Sequence, residues 1–220
     1  MKSLIVANWK MNPATSGEAK ILFDQVKDTG AIICPPFIYL KELSSFRRSL
    51  APLGAQDCFW ENPPTGGGPF TGEVSALMLK NMGVEYVILG HSERRKYQNE
   101  SNEMIAKKLK AVLTAGLKPI LCVDKLSQLP KSALPGLIVA YEPLFAVGTG
   151  KPCSLERAEK MRLAIERAIG TKTPVLYGGS VNSQNAGDYI CKSGFQGLLV
   201  GGASLNPKEF IDIVKNSCYC

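Results

Sequence analysis

Eight short apolar runs punctuate this chain, and helical patterns fill the spaces between them. The runs are LIVAN (4–8), AIICP (31–35), APLGAQ (51–56), YVILGH (86–91), KPILCV (118–123), LIVAYEP (137–143), PVLYGG (174–179) and GLLVGG (197–202). Most are continuous rather than alternating, the pattern of strands buried on both faces. Such strands alternating with helices form a parallel sheet, because each parallel pair needs a crossover connection. Eight of these units predict an α/β fold, a single (β/α)8 barrel spanning residues 1–220. About 250 residues is typical of that fold, so 220 is short.

The shortage can be located. Between Val123 and Leu137 the chain reads VDKLSQLPKSALPGL, where Pro130 and Pro135 leave room for a turn or two of helix. The helix after strand five is therefore expected to be missing or vestigial. Some of Ile120, Leu121, Cys122 and Val123 should then be thinly covered. Elsewhere the helix signals are strong. Ser154 caps a segment whose Leu155, Ala158, Met161, Ile165 and Ile169 share one face, and Gly170 stops it. The segment SNEMIAKKLKAVLTAGLKP (101–119) gives a second helix, with Met104, Ile105, Leu109, Val112 and Leu113 on one side and Gly116 closing it. Asn206 and Pro207 open the last one. The Pro- and Gly-rich stretch from Cys58 to Glu73 reads as a protruding loop, since strands continue on both sides of it.

Hydrophobic residues at 45% supply a large core. The net charge of +7 favours an anionic partner. The positive residues are not gathered in a tail, and Lys107, Lys108 and Lys110 on one helix read as a solvated face. No nucleic-acid module is present. No apolar run reaches the roughly 20 residues of a membrane span, and the first residues do not form a signal peptide. The expectation is a cytoplasmic protein acting on a small anionic compound, with no nucleic-acid or membrane partner. Seven scattered cysteines without a C-x-x-C pair read as free thiols. With one histidine there is no Cys/His metal constellation, so no metal is expected.

In such a barrel the site lies past the C-terminal ends of the strands. Strand one ends in Asn8 and Lys10, strand four in His91, Ser92 and Glu93, and strand six in Glu142. Strands seven and eight end in YGGSV and VGGASL. Glycines on these two consecutive loops either serve tight turns or bring backbone N–H groups close to a phosphate, and their pairing favours phosphate. His91 alone is either a satisfied structural residue or a catalyst. Glu142 emerges from an apolar run, where desolvation should raise its pKa toward that of a useful base. The following PLFAVGTGK is apolar, then glycine-rich: either a lid or an ordinary loop. Glu93, Arg94 and Arg95 read as an ion-pair cluster fixing the loop after His91.

The segments ANWKMN, GHSERR, FTGE, YEPLFAVGTGK, YGGSV and LVGGASL, in this order over nearly the whole chain, resemble the triosephosphate isomerase family. The resemblance implies a TIM barrel that interconverts dihydroxyacetone phosphate and D-glyceraldehyde 3-phosphate. It implies Glu142 as the base, His91 as a neutral electrophile, Lys10 offsetting substrate charge and Asn8 donating a hydrogen bond. Gly148, Ser180, Gly201 and Gly202 would hold the phosphate through backbone N–H groups. Pro143, Leu144, Phe145, Ala146, Val147, Gly148, Thr149, Gly150 and Lys151 would form the lid. No cofactor is implied. A homodimer is, with Thr71 reaching toward the partner. Three features depart from the family pattern. Phe145 stands where tryptophan is usual, CVDK matches CIGE only at Cys122, and the 58–70 loop is longer. Two other readings remain: another phosphate-binding barrel isomerase or synthase, and a barrel that binds phosphate ligands or partners without catalysis. The first does not explain Lys10, His91 and Glu142 in their contexts, and the full set argues against the second.

Overall fold

The computed structural model describes residues 3–45, 51–63, 65–132 and 134–217. Its strands are β1 (Leu4–Asn8), β2 (Ile32–Cys34), β3 (Gly54–Ala55), β4 (Tyr86–Leu89), β5 (Lys118–Val123), β6 (Ile138–Tyr141), β7 (Val175–Tyr177) and β8 (Gly197–Val200). The α-helices among the described residues are α1 (Ser16–Val26), α2 (Phe37–Ser45), α3 (Ala76–Asn81), α4 (Ser92–Tyr97), α5 (Asn102–Thr114), α6 (Leu155–Ile169), α7 (Ala186–Cys191) and α8 (Pro207–Asn216). All strand pairs are parallel, in the order β2-β1-β8-β7-β6-β5-β4-β3. A bridge between Ile33 and Leu53 joins the two ends, with the Ile33 N–H donating to the Pro52 carbonyl at 2.9 Å. The sheet is a TIM barrel.

The third strand is shorter than its apolar run, because only Gly54 and Ala55 enter the ladder to β4. Gly54 permits that ladder to sit against β2: a Cβ there would lie 2.4 Å from the Cys34 sulfur. Helix boundaries follow the capping signals. Ser75, Ser101, Ser154 and Asn206 each accept a backbone N–H at the start of α3, α5, α6 and α8. Thr15 and Glu18 form a reciprocal capping box on α1.

Two apolar layers result. Val6, Ile32, Ile88, Ile120, Cys122, Ala140, Leu176 and Leu199 cluster with no helical residue among them, so they fill the barrel interior. Their strand neighbours point outward and pack against the helices. Between β5 and β6 the described chain makes only a 3-10 turn at Leu126–Gln128, which locates the missing helix. The thin cover expected there is not found. Leu121 and Val123, the outward pair, are 0% and 2% exposed. Leu129, Leu134 and Met161 of α6 all pack onto the outer core to which these two residues belong. The proline-rich connection thus contributes leucines to the outer core in the stretch where a helix is missing.

One charge reading and one cysteine reading also change. Lys108 is not solvated. It is 3% exposed and donates to both Asp57 oxygens at 2.7 Å and to Glu100 Oε1 at 2.6 Å. A 3.6-residue period places Lys108 three residues after Ile105 and four before Val112, in the row of α5 that faces the core, whereas Lys107 faces out. Cys191 is disulfide-bonded, against the expectation of free thiols, while Cys34, Cys58, Cys122 and Cys153 are free and buried. No spacing motif announces a bridge made by tertiary proximity. Cys218 and Cys220 lie outside the described residues. No described helix is long and apolar enough to cross a membrane.

Candidate active site

The strand ends bring the expected side chains to one mouth of the barrel. A cavity of about 320 Å³ is lined by Asn8, Lys10, His91 and Glu142 on one side and by Gly148, Ser180, Gly201 and Gly202 on the other. Lys10 follows β1 in a left-handed conformation, φ 54°, which a residue with a side chain adopts at a cost. Two contacts hold it there. Its N–H donates to Asn8 Oδ1 at 3.0 Å, and its carbonyl accepts from Gln56 Nε2 at 2.7 Å. Gln56 also donates to the Cys34 carbonyl, tying the ends of β1 and β2 together. Sequence reasoning did not single out Gln56; its place directly after strand three was the available signal.

His91 is the N-cap of α4 and is 5% exposed. Its Nδ1 accepts the Glu93 N–H at 3.3 Å, so the ring proton belongs on Nε2 in the neutral form. Nε2 lies 3.1 Å from Glu142 Oε1, and Glu142 Oε2 accepts the Ser92 N–H at 3.2 Å. Lys10 Nζ meets Glu93 Oε1 at 2.5 Å. The three charges after His91 do not pair with one another. Glu93 holds Lys10, Arg94 reaches Asp57 and Glu100, and Arg95 donates to the Gly90 carbonyl at 2.7 Å.

Burial raises the Glu142 carboxyl, but His91, the Ser92 N–H and Lys10 together hold it below its ordinary range. The raised pKa expected from sequence is therefore reversed in this structure, because the desolvated carboxylate has found partners. Burial pushes the His91 imidazole down, and Glu142 and Glu93 more than offset this, leaving it above its usual value. The Glu93 N–H on Nδ1 opposes that rise, since a second proton on the ring would displace it.

The lid segment leaves β6 at the buried Pro143 and returns at Cys153. Its far end is fixed: the Cys153 N–H donates to Tyr177 Oη at 3.0 Å, and Tyr189 Oη donates to the Cys153 carbonyl. Inside the segment, the Ser180 hydroxyl donates to the Ala146 carbonyl at 2.6 Å, joining it to the loop after β7. Gly148 and Gly150 sit at φ 68° and 72°, which glycine adopts freely. Thr71 is exposed on the 58–73 loop and does not line the cavity. Among the described residues, no group of three His, Cys, Asp or Glu side chains is placed to hold a metal ion.

Comparison with known proteins identifies the family. The family model described as triosephosphate isomerase matches residues 3–217. A triosephosphate isomerase of Alkaliphilus oremlandii is 38% identical, over 97% of this chain and 98% of its own. One from Thermoanaerobacter sp. is 39% identical over 97% and 98%, and one from Dictyoglomus thermophilum is 36% identical over 98% and 99%.

Proposed function

This chain belongs to the triosephosphate isomerase family, and from that premise we propose that it interconverts dihydroxyacetone phosphate and D-glyceraldehyde 3-phosphate through an enediolate. It is an intramolecular aldose–ketose isomerase. Glu142 takes a proton from the carbon beside the carbonyl and returns it to the neighbouring carbon. To do so it turns away from His91 and the Ser92 N–H. Losing those partners removes what holds its pKa down, and desolvation then makes it a stronger base. His91 Nε2–H donates to the substrate oxygens as negative charge develops there. Once Glu142 carries the proton, its charge no longer pulls the imidazole upward, and the Glu93 N–H on Nδ1 keeps the ring neutral.

Lys10 and Asn8 offset and orient the anionic substrate. The N–H groups of Gly148, Ser180, Gly201 and Gly202 take the phosphate. The lid, Pro143 to Lys151, excludes water and keeps the enediolate from expelling phosphate, a step that breaks the C–O bond and leaves methylglyoxal. The single observation that carries this reading is the Glu142–His91 pair, 3.1 Å apart, in a cavity rimmed by two glycine loops. The whole chain acts as one barrel domain, in the cytoplasm, as a homodimer with Thr71 toward the partner. Met11, 92% exposed, and Phe70 supply apolar surface that a second copy would cover.

A coupled assay on glyceraldehyde 3-phosphate tests the proposal. Rapid isomerisation is expected, with Lys10→Ala losing both binding and turnover. Binding of the substrate without turnover by the unaltered chain would establish the non-catalytic reading instead.

A further inference from the structure

Phe145 does not line the reaction cavity. Phe145 is 47% exposed, and the Arg157 guanidinium lies 4.3 Å from the centroid of its ring. Arg157 sits in the first turn of α6, and that turn is firmly placed. The Arg157 N–H donates to the Ser154 capping hydroxyl, and Cys153 just before it is held by Tyr177 and Tyr189. The cation therefore comes from a fixed element and the ring from the lid. Arg157 makes no ion pair with a described residue, so it is not committed to a carboxylate. It lines, with Tyr141 and Leu126, a hollow of about 570 Å³ on the flank where the fifth helix is missing.

On its other side the lid has open space. A cleft of about 530 Å³ separates Leu144, Val147 and Gly148 from Glu93, Lys125 and Gln128. Leu144 is 56% exposed, so the lid's two large apolar side chains do not cover the site in this conformation.

We propose that Arg157 is a positioning residue of the lid: its contact with Phe145 holds the lid raised, and closure over a phosphorylated substrate must break that contact. The kinetic consequences rest on the isomerase reading above, and the contact itself rests on geometry alone. A ligand that closes the lid spends part of its binding energy against this hold. A partly exposed cation–π contact shifts such an equilibrium by about 2- to 5-fold.

The test uses the intact protein and 2-phosphoglycolate, a phosphorylated carboxylate that mimics the enediolate charge. Arg157→Ala should bind it about 2- to 5-fold tighter, with KM for the triose phosphates lowered in step and kcat not raised. Arg157→Lys keeps the charge but loses the flat stacking face, and should fall between. Phe145→Leu should reproduce the effect, and the double variant should add nothing further. A merely structural role for Arg157 would weaken binding rather than tighten it, so unchanged or weaker binding overturns the proposal. Amide exchange at residues 144–149 in the ligand-free protein gives a readout independent of activity. It should quicken in Arg157→Ala, and an unchanged rate overturns the hold. Quickened exchange in a chain that does not isomerise would sink the isomerase reading and sustain the hold.

Discussion

Replacing Lys108 by methionine should cost this protein about 3–5 kcal/mol of stability at pH 8, the loss usual when one partner of a buried ion pair is removed. The magnitude follows from the surroundings of its ammonium. Lys108 touches Asp57 at 2.7 Å and Glu100 at 2.6 Å, and the three side chains are 4%, 10% and 1% exposed. At an effective dielectric of 20, each contact is a gross attraction of about 6 kcal/mol. Desolvation of the ions returns several kcal/mol of this. Arg94 remains to each carboxylate, at 2.8 Å and 2.6 Å, and softens the loss. Methionine keeps the volume, so the cost comes from two carboxylates left facing each other out of water.

That origin gives the loss a pH signature. Burial pushes the Asp57 carboxyl up to about 6, with Lys108 and Arg94 opposing, while Glu100 is held below its usual range against its own burial by bonds from Lys108 and Arg94. A raised folded pKa means that the native state binds the proton more tightly than the unfolded chain. Its stabilising contribution is present at low pH and is lost as pH rises through about 6. Without Lys108 the Asp57 carboxyl moves further up and Glu100 loses part of what holds it down, so Lys108→Met should be hurt less at pH 5.5 than at pH 8. Urea unfolding at the two pH values, at one fixed protein concentration, measures this. Lys107→Met, on the exposed face of the same helix, is the control and should change little. A loss below about 1 kcal/mol at pH 8, or a loss that grows on acidification, would refute the reasoning. The cluster also bears on the site, because Arg94 belongs to the helix that His91 caps.

Glu142→Asp should retain the fold and lose about 100-fold in turnover, because its carboxylate retreats by on the order of 1 Å; near-normal kcat would remove Glu142 as the base. Deleting residues 144–148 should raise methylglyoxal formation relative to isomerisation, and an unchanged product ratio would make the segment a connector. The sole histidine permits unambiguous NMR titration: in the ligand-free protein it should titrate above its ordinary value, and Glu142→Gln, which removes the neighbouring charge, should lower it, so an unchanged or higher value in that variant would contradict the Glu142–His91 contact. Leu134→Ala should cost about 1–2 kcal/mol and speed amide exchange in β5 while leaving kcat unchanged; unaltered exchange there would mean that the connection does not cover the strand.

What the sequence determined by itself is what near neighbours along the chain control. Continuous apolar runs recovered the eight strands, and KPILCV and LIVAN have the boundaries of β5 and β1, because side-chain burial on both faces writes itself into consecutive residues. Ser154 and Asn206 marked helix starts because a cap acts within one turn. The gap after Val123 was legible because prolines forbid a helix locally. The roles proposed for Lys10, His91 and Glu142 come from the motifs they stand in. Their convergence on one cavity required the barrel to close. What surrounds each charge was decided by tertiary structure alone. Lys107 and Lys108 are adjacent and chemically identical, yet only Lys108 meets Asp57, which is distant in sequence and brought near by packing of the strand-three loop against α5. Glu142 was rightly read as desolvated, but its pKa falls because β4 delivers His91 and the Ser92 N–H to it. Leu129 and Leu134 carry no period that announces their place on the outer core, and Arg157 carries none that announces a ring on the lid. Periodicity reports which face of an element is buried, whereas a charge, a hydrogen bond or a cover depends on which other element arrives there.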